Sequence, residues 1–227
     1  MSQESYINSQ QALWDRQHYE RGGGGGNEGT ILKHVPNDGA VMLASVLLRG
    51  SHILEIGSAN GRDARRFAEW RHFVDCIDFS EVALMQLHEL ADEEGAFDQI
   101  TSHHHNISRG NLPHLGTKKY DALFARSSLH LDDASLDRLA YNITERLKRN
   151  AFIIIEGKSP FDPKIMRSRD IGGGLVVDAE GHVRRVWDEK SMVNLARRQG
   201  WKVQQIVELQ EEVPYGYNSM MRLAAVV

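Results

Sequence analysis

The chain has 227 residues, of which 41% are hydrophobic and 26% are charged. These values are typical of a globular protein, and we expect one domain that covers residues 1–227. A net charge of −4, without a long run of Lys or Arg, argues against a dedicated nucleic-acid-binding protein. The lone cysteine, Cys76, and the lack of an apolar stretch long enough to cross a bilayer favour a reduced, cytoplasmic protein with no membrane partner. We expect a monomer or a homodimer.

Short runs rich in β-branched residues alternate with longer amphipathic stretches from about residue 51 onward. This alternation is typical of βαβ units that feed a parallel sheet, so we predict an α/β fold. The predicted strands cover residues 52–56, 73–78, 98–105, 120–125, 151–156, 201–209 and 220–227.

Two helices are clear from their apolar periodicity. Residues 133–149 place Leu136, Leu139 and Ile143 on one face. A second helix covers residues 189–199, with Asp188 as its N-cap and Gly200 as a left-handed stop.

We divide the chain into an N-terminal helical segment, residues 1–42, and a core, residues 43–227, with an insertion at about 158–187. The first segment contains five consecutive glycines, Gly22 to Gly26, which favour a mobile loop. This loop is either a lid over a site or a tolerated insertion.

A strand, a glycine turn and a helix follow one another from His52 onward. Gly57 and Gly61 allow a tight turn and a close approach of the backbone to a ligand. Their spacing differs from the G-x-G-x-x-G of dinucleotide-binding turns, which disfavours NAD or FAD. Glu55 is costly to bury without a partner, so it indicates either a cationic ligand or a structural contact within the loop.

Asp78 ends the second predicted strand, at a position where an acidic side chain can accept both ribose hydroxyls of a nucleoside. The alternative is a turn residue ahead of the next helix, which Ser80 caps. The glycine turn upstream favours the ribose role.

The pattern Glu55-x-Gly57-x-Ala59-x-Gly61-Arg62-Asp63, followed by Asp78-Phe79-Ser80, resembles the first two motifs of class I S-adenosylmethionine-dependent methyltransferases. The resemblance implies a Rossmann-like three-layer sandwich with a mostly parallel seven-stranded sheet and an antiparallel last strand. It also implies S-adenosylmethionine as cofactor and S-adenosylhomocysteine as product, with Asp78 on the ribose and Phe79 on the adenine. The cofactor-binding residues implied in this way are Glu55, Gly57, Ser58, Ala59, Gly61, Asp63, Asp78, Phe79, Asn106, Ile107 and Arg126.

The stretch Ser128-Leu129-His130-Leu131-Asp132-Asp133 resembles one branch of that family, which contains tellurite-resistance-type and related small-molecule methyltransferases. Trp14-Asp15-x-x-x-Tyr19 is similar to a segment that folds over the cofactor and acceptor in that branch, although plain core packing explains Trp14 equally well. The substrate-binding residues that we predict are Trp14, Tyr19, Lys158, His182, Arg184 and Tyr215.

His130 is the candidate general base, because an ordinary histidine titrates near working pH. The alternative is a packed or capping histidine. Lys158 and Arg184 favour an acceptor that bears a carboxylate or phosphate, unless they belong to a solvated loop. Side chains at His103, His104 and His105 alternate between the faces of a strand, so we expect no metal site.

The leading prediction is therefore an enzyme that methylates O or N of a small molecule, possibly an anionic biosynthetic intermediate. Two alternatives stay open: a nucleic-acid or protein methyltransferase, and a cofactor-binding regulatory module without turnover.

Overall fold

The computed structural model describes residues 3–21, 35–213 and 216–227. The chain falls into two compact units, Met1–Asn106 and Ile107–Val227. The five-glycine run lies outside the described residues, so its role stays a prediction, as does the assignment of the whole chain to one domain. In the described part of the chain, no helix is both long enough and apolar enough to cross a bilayer.

Three parallel strands form the centre of the first unit. β2 pairs with β1, with Phe73 opposite His52, and also with β3, with Val74 opposite Ile100. The elements of this unit are α1 (Gln3–Arg21), α2 (Asp38–Val46), β1 (His52–Ile56), α3 (Arg62–Glu69), β2 (Phe73–Asp78), α4 (Glu81–Glu93), a 3₁₀ turn (Phe97–Gln99) and β3 (Ile100–His104).

The first two strands match their predicted bounds, whereas the third begins later than predicted. Asp98 belongs to the 3₁₀ turn that precedes β3, not to the strand. Because β1 and β2 are parallel neighbours, their carboxyl ends lie at the same edge. The glycine turn after β1 and Asp78 at the end of β2 are thereby brought together.

Two helices of the first unit start at side-chain caps. Asn37 accepts a hydrogen bond from the amide of Gly39 at the start of α2. Ser80 accepts one from the amide of Ala83 at the start of α4, as predicted.

The second unit contains four strands of the main sheet and a separate three-stranded sheet. β4 runs parallel to β5, and β10 lies between β5 and β9, antiparallel to both. Its elements are a 3₁₀ turn (Ile107–Arg109), β4 (Tyr120–Arg126), α5 (Asp133–Thr144), β5 (Leu147–Lys158), α6 (Pro163–Met166), β6 (Arg169–Gly172), β7 (Leu175–Val177), β8 (Val183–Arg185), α7 (Glu189–Gln199), β9 (Lys202–Val213) and β10 (Gly216–Val226).

The prediction of a helix over residues 133–149 is wrong at its C-terminal end. α5 ends at Thr144, and β5 begins at Leu147, which pairs with Tyr120 of β4. Leu147 fits the helical period, but its burial comes from this strand pairing. The turn between the two elements is closed by a hydrogen bond from the amide of Arg146 to the carbonyl of Ile143.

The helix predicted at 189–199 is confirmed together with both of its ends. Asp188 accepts a hydrogen bond from the amide of Ser191, whose hydroxyl faces the Asp188 backbone in a capping box. Gly200 adopts a left-handed conformation with φ of 72°.

The predicted insertion at about 158–187 is a small folded element. It contains α6 and the antiparallel sheet β6-β7-β8. Its ends meet, because the amide of Trp187 donates to the carbonyl of Lys158 at 2.9 Å. A Cβ on Gly157 would lie 2.1 Å from the ring of Trp187, so only glycine fits beneath this buried side chain.

Taken together, the seven strands β1 to β5, β9 and β10 belong to one mixed sheet that is mostly parallel. The predicted Rossmann-like α/β fold, with an antiparallel last strand, is confirmed. The apolar core includes Ile53, Leu54 and Ile77 in the first unit and Leu123 and Ile153 in the second.

Replacing Gly61 by alanine tests the packing of the glycine turn. The new Cβ would lie 2.7 Å from Cγ and Cδ1 of Leu87, at a φ of +76°. The control is Gly95→Ala, at a φ of +66° with no atom within 4 Å. We expect the control to lower the free energy of unfolding by about 1 kcal/mol. Gly61→Ala should cost roughly 1–3 kcal/mol more. Urea denaturation measures the free energy of unfolding of both variants. Equal losses for Gly61→Ala and Gly95→Ala would contradict a packing role for Gly61.

Candidate functional site

The glycine turn connects β1 to α3 through three residues with positive φ: Gly57 at 74°, Ala59 at 50° and Gly61 at 76°. The amide of Gly57 donates to the carbonyl of Ile77 at 2.7 Å, which fastens the turn to β2. Ala59 occupies a left-handed conformation that costs a residue with a Cβ about 1 kcal/mol. The turn is therefore held in a strained shape beside the end of β2.

Asp78 holds this turn with its carboxylate. One oxygen accepts the amide of Ala59 and the other accepts the amide of Ser80, both at 2.9 Å. The side chain is only 6% exposed. Burial raises the pKa of Asp78, and the two amides together with His18 oppose that rise. Each oxygen keeps a further lone pair with which it can bind a ligand hydroxyl.

Glu55 is a second buried carboxyl group next to the turn, only 4% exposed. Its carboxyl group accepts a hydrogen bond from the thiol of Cys76 at 3.9 Å. Burial raises the pKa of Glu55 well above its usual range, and the charge of Asp63 adds to the rise while Arg62 opposes it. The carboxyl group is therefore protonated more readily than an exposed glutamic acid.

Asp63 is predicted to bind the cofactor, and the structure shows it engaged with the protein. It accepts the amide of Asn37 at 2.7 Å and a guanidinium N–H of Arg62 at 2.9 Å. This side chain ties the start of α2 to the start of α3. The turn is thus bordered by three buried carboxyl groups, those of Glu55, Asp63 and Asp78.

Other predicted cofactor residues lie at the ends of the strands. Phe79 is half-buried, and its carbonyl accepts a hydrogen bond from His104 Nε2 at 3.0 Å. Asn106 follows β3 at the end of the first unit, and Ile107 begins the second. Their contacts with adenine stay predictions.

The N-terminal helix α1 contacts the site through residues that the sequence analysis missed. The carboxylate of Asp15 accepts the hydroxyl of Ser80 at 2.5 Å, and the carbonyl of His18 accepts the amide of Gln86 at 3.1 Å. Of the two predicted residues, Trp14 is half-buried, while Tyr19 is 81% exposed. The helical period could have identified His18, because it lies one turn from Trp14.

Arg126, predicted to bind the cofactor, lies at the end of β4 in the second unit. Its guanidinium donates to Glu211 at 2.5 Å and lies 3.5 Å from Glu156. Glu156 also pairs with Arg222 on β10. Arg126 is therefore part of a chain of alternating charges across the strands.

The geometry of His130 does not support the predicted general base. Its Nδ1 accepts a hydrogen bond from the backbone amide of Arg185 at 3.2 Å. An amide can only donate, so the ring proton sits on Nε2, which is also buried. Burial, with Arg184 next in effect, lowers the pKa of His130 to about 3. The ring is neutral at working pH and presents a donor, not a base.

Lys158, predicted to bind the substrate, is buried within a polar network. Its ammonium donates to Asp162 and to Asn218, both at 2.7 Å. Burial lowers the pKa of Lys158, and Asp162 opposes that change. Asp162 also accepts the amide of Ser219, which links the insertion to β10.

His182 and Arg184, the other predicted cations, share Asp178 as a partner. Asp178 accepts the amide of His182 at 2.9 Å and Nε of Arg184 at 2.7 Å. Burial favours the neutral acid, but the hydrogen bonds from His182 and Arg184 outweigh it and lower the pKa of Asp178 far below its usual value. The solvated-loop alternative is wrong, because all three side chains are buried. Tyr215 lies outside the described residues.

The three consecutive histidines after residue 102 have separate partners. His103 Nε2 contacts Asp75 at 2.8 Å, whereas His104 contacts the carbonyl of Phe79. Among the described residues, no group of three or more His, Cys, Asp or Glu side chains is arranged to hold a metal ion.

Residues 53–150 match the family model described as a methyltransferase domain. A search among curated proteins found no match.

Several solved structures share the fold at low sequence identity. A 1,6-didemethyltoxoflavin-N1-methyltransferase from Burkholderia thailandensis, solved with that compound and S-adenosylhomocysteine, is 16% identical, with a TM-score of 0.72 over 100% of this chain and 90% of that one. TehB from Haemophilus influenzae is 13% identical, with a TM-score of 0.65 over 94% of this chain and 66% of that one, just under two thirds. The [4+2]-cyclase SpnF is 16% identical, with a TM-score of 0.63 over 82% of this chain and 78% of that one.

The methyltransferase-domain match over residues 53–150 and the shared fold support the predicted class, class I S-adenosylmethionine-dependent methyltransferases, and its branch of tellurite-resistance-type enzymes. S-adenosylmethionine is the cofactor of this class. The first unit fits it, because the cofactor carries a sulfonium and an ammonium group, and Glu55 is a buried carboxyl group whose raised pKa a cationic ligand would oppose.

Glu55→Gln tests whether burial of this ionisable carboxyl group lowers the stability of the protein. Because the folded pKa is raised, the folded chain keeps a proton that the unfolded chain releases, and stability falls as pH rises above the unfolded pKa. We expect the amide to raise the free energy of unfolding at pH 7 by about 1 kcal/mol or more, with no gain below about pH 4. Urea denaturation at both pH values measures this. A gain independent of pH would contradict the assignment.

Spectra of protein labelled with ¹⁵N-histidine test the state of His130, with His130→Gln used to assign its signal. We expect an Nε2–H ring that does not titrate between about pH 5 and 8, because its folded pKa is about 3. The unfolded chain takes up the proton first, so stability is lost as pH falls below about 6.5, and His130→Gln should lessen that loss. An Nδ1–H ring, or titration near pH 6.5, would contradict the hydrogen-bond geometry.

Proposed function

We propose that this chain transfers the methyl group of S-adenosylmethionine to an oxygen or nitrogen atom of a small molecule. The observation that supports the proposal best is the strained glycine turn held by the buried carboxylate of Asp78. When bound, the cofactor supplies a methyl group on a sulfonium that departs as a neutral thioether, so orientation and desolvation are the main tasks of the protein.

In this proposal the first unit binds the cofactor. Asp78 accepts the ribose hydroxyls with the lone pairs that its two amide contacts leave unused. Glu55 faces the positive charge that the cofactor brings, which offsets the cost of ionising a buried carboxyl group. Phe79, with Asn106, contacts the adenine.

We further propose that the acceptor atom has a lone pair available near neutral pH, such as an amine, a readily ionised hydroxyl or a ring nitrogen. The support is His130, which is neutral and presents Nε2–H, so it is not suited to remove a proton from the acceptor. An anionic acceptor has less support than the sequence suggested. Lys158 and Arg184, which favoured it, are paired with the buried carboxylates of Asp162 and Asp178.

Calorimetric titration with S-adenosylhomocysteine tests the role of Asp78. The matched control is Asp75→Asn, on the same strand and similarly buried. We expect Asp78→Asn to weaken binding about tenfold, or roughly 1.4 kcal/mol, because a carboxylate acceptor of ribose hydroxyls becomes an amide. Asp75→Asn should stay within about twofold of the wild type. Equal affinity of Asp78→Asn and the wild type would contradict the ribose role, and no binding by the wild type would contradict the cofactor assignment.

Turnover separates the remaining alternatives. Cell extract passed through a small-pore filter, together with methyl-labelled cofactor, should yield labelled small molecules. If label is transferred only to the retained fraction, protease and nuclease digestion of that fraction distinguish a protein from a nucleic-acid acceptor. Tight cofactor binding with no transfer to any fraction would instead indicate the regulatory module.

A further inference from the structure

Helix α1 is fastened beside Asp78 at two successive points. The Asp15 carboxylate accepts the hydroxyl of Ser80, two residues beyond Asp78, and the His18 carbonyl accepts the side chain of Gln86 on α4. These contacts fix the segment between Asp15 and His18 against the end of β2 and the first turns of α4.

The ring of His18 is enclosed by this arrangement. The side chain is 6% exposed, and its Nδ1 is buried without a hydrogen-bond partner among the described residues. Burial lowers the pKa of His18, while the charges of Asp78 and Asp15 act in the opposite direction. The charge of His18 in turn opposes the rise that burial causes in the pKa of Asp78.

His18 Nδ1 is a buried polar atom without a partner, on a helix that is fastened two residues from a carboxylate assigned to ribose, which indicates a ligand group that can hydrogen-bond to both. A hydroxyl meets this requirement, because it can donate its proton to the Asp78 carboxylate and accept a hydrogen bond from an imidazole N–H. Asp15 is less suited to such a role, since it is already engaged with Ser80. Tyr19, the residue predicted from the sequence, is largely exposed to solvent.

We propose that His18 is a cofactor-binding residue whose Nδ1 hydrogen-bonds to a ribose hydroxyl of S-adenosylmethionine that Asp78 also binds. The inference rests on the proposed function only in taking Asp78 as the ribose ligand. It makes α1 part of the cofactor site rather than a helix that merely covers it.

Three variants separate hydrogen bonding from helix packing. His18→Asn keeps an amide near the position of Nδ1, whereas His18→Gln moves the amide towards the position of Nε2. Arg16→Ala is the control, since Arg16 is an exposed residue on the same helix that pairs with Glu20. We expect affinity for S-adenosylhomocysteine within about threefold of the wild type for His18→Asn and Arg16→Ala, and about tenfold weaker for His18→Gln.

Deoxy analogues identify the ligand group. S-adenosylhomocysteine and its 2′-deoxy and 3′-deoxy analogues are titrated into the wild type and His18→Gln. If His18 contacts a ribose hydroxyl, one of the two analogues lacks the group that His18 binds. For that analogue, the loss of affinity caused by His18→Gln should shrink from about tenfold to less than about twofold.

The outcomes are distinct. Two results would show that His18 acts through packing: the same fold-loss of affinity for all three ligands, or equal affinity of His18→Asn and His18→Gln. Either result would overturn the inference and leave the cofactor assignment intact. Failure of the wild type to bind S-adenosylhomocysteine would overturn the proposed function itself. Urea denaturation of each variant confirms that the compared proteins are folded.

Discussion

The carboxylate of Asp78 is the contact on which the first unit depends. Its two oxygens join the glycine turn to the start of α4, through the amides of Ala59 and Ser80. Ser80 in turn caps α4 and binds Asp15 of α1. Burial raises the pKa of this acid, and the two amides counteract the rise. A single side chain therefore fixes the backbone around the proposed ribose site while retaining the capacity to bind.

Buried Glu55 and two buried cations of the second unit differ in their partners. Glu55 accepts a hydrogen bond from a thiol, which suits a site that gains a positive charge on binding. Lys158 and Arg184 are each matched by a carboxylate. These two cations therefore give less support to recognition of an acceptor through net charge than the sequence suggested.

Local patterns made much of this structure predictable. The strands at 52–56 and 73–78, the glycine turn and the caps at Asp188 and Gly200 follow from short-range chemistry. The end of α5 did not, because Leu147 satisfies a helical period while it pairs with Tyr120, a distant residue. Similarly, the sequence identifies Lys158 and His130 as polar residues at strand ends. The groups that determine their chemistry, the Asp162 carboxylate for Lys158 and the Arg185 amide for His130, reach them only on folding. The contribution of α1 depends on a contact with Ser80, 65 residues beyond Asp15.

The closed base of the insertion has an evolutionary consequence. The amide of Trp187 meets the carbonyl of Lys158, and its ring lies over Gly157, so the two ends of the segment are joined where it leaves the main sheet. Side chains between these ends that face solvent, such as those of β6, can change without disturbing the register of β5 with β10. The exposed part of the insertion can therefore diversify while the first unit, which contains none of its residues, stays under separate selection.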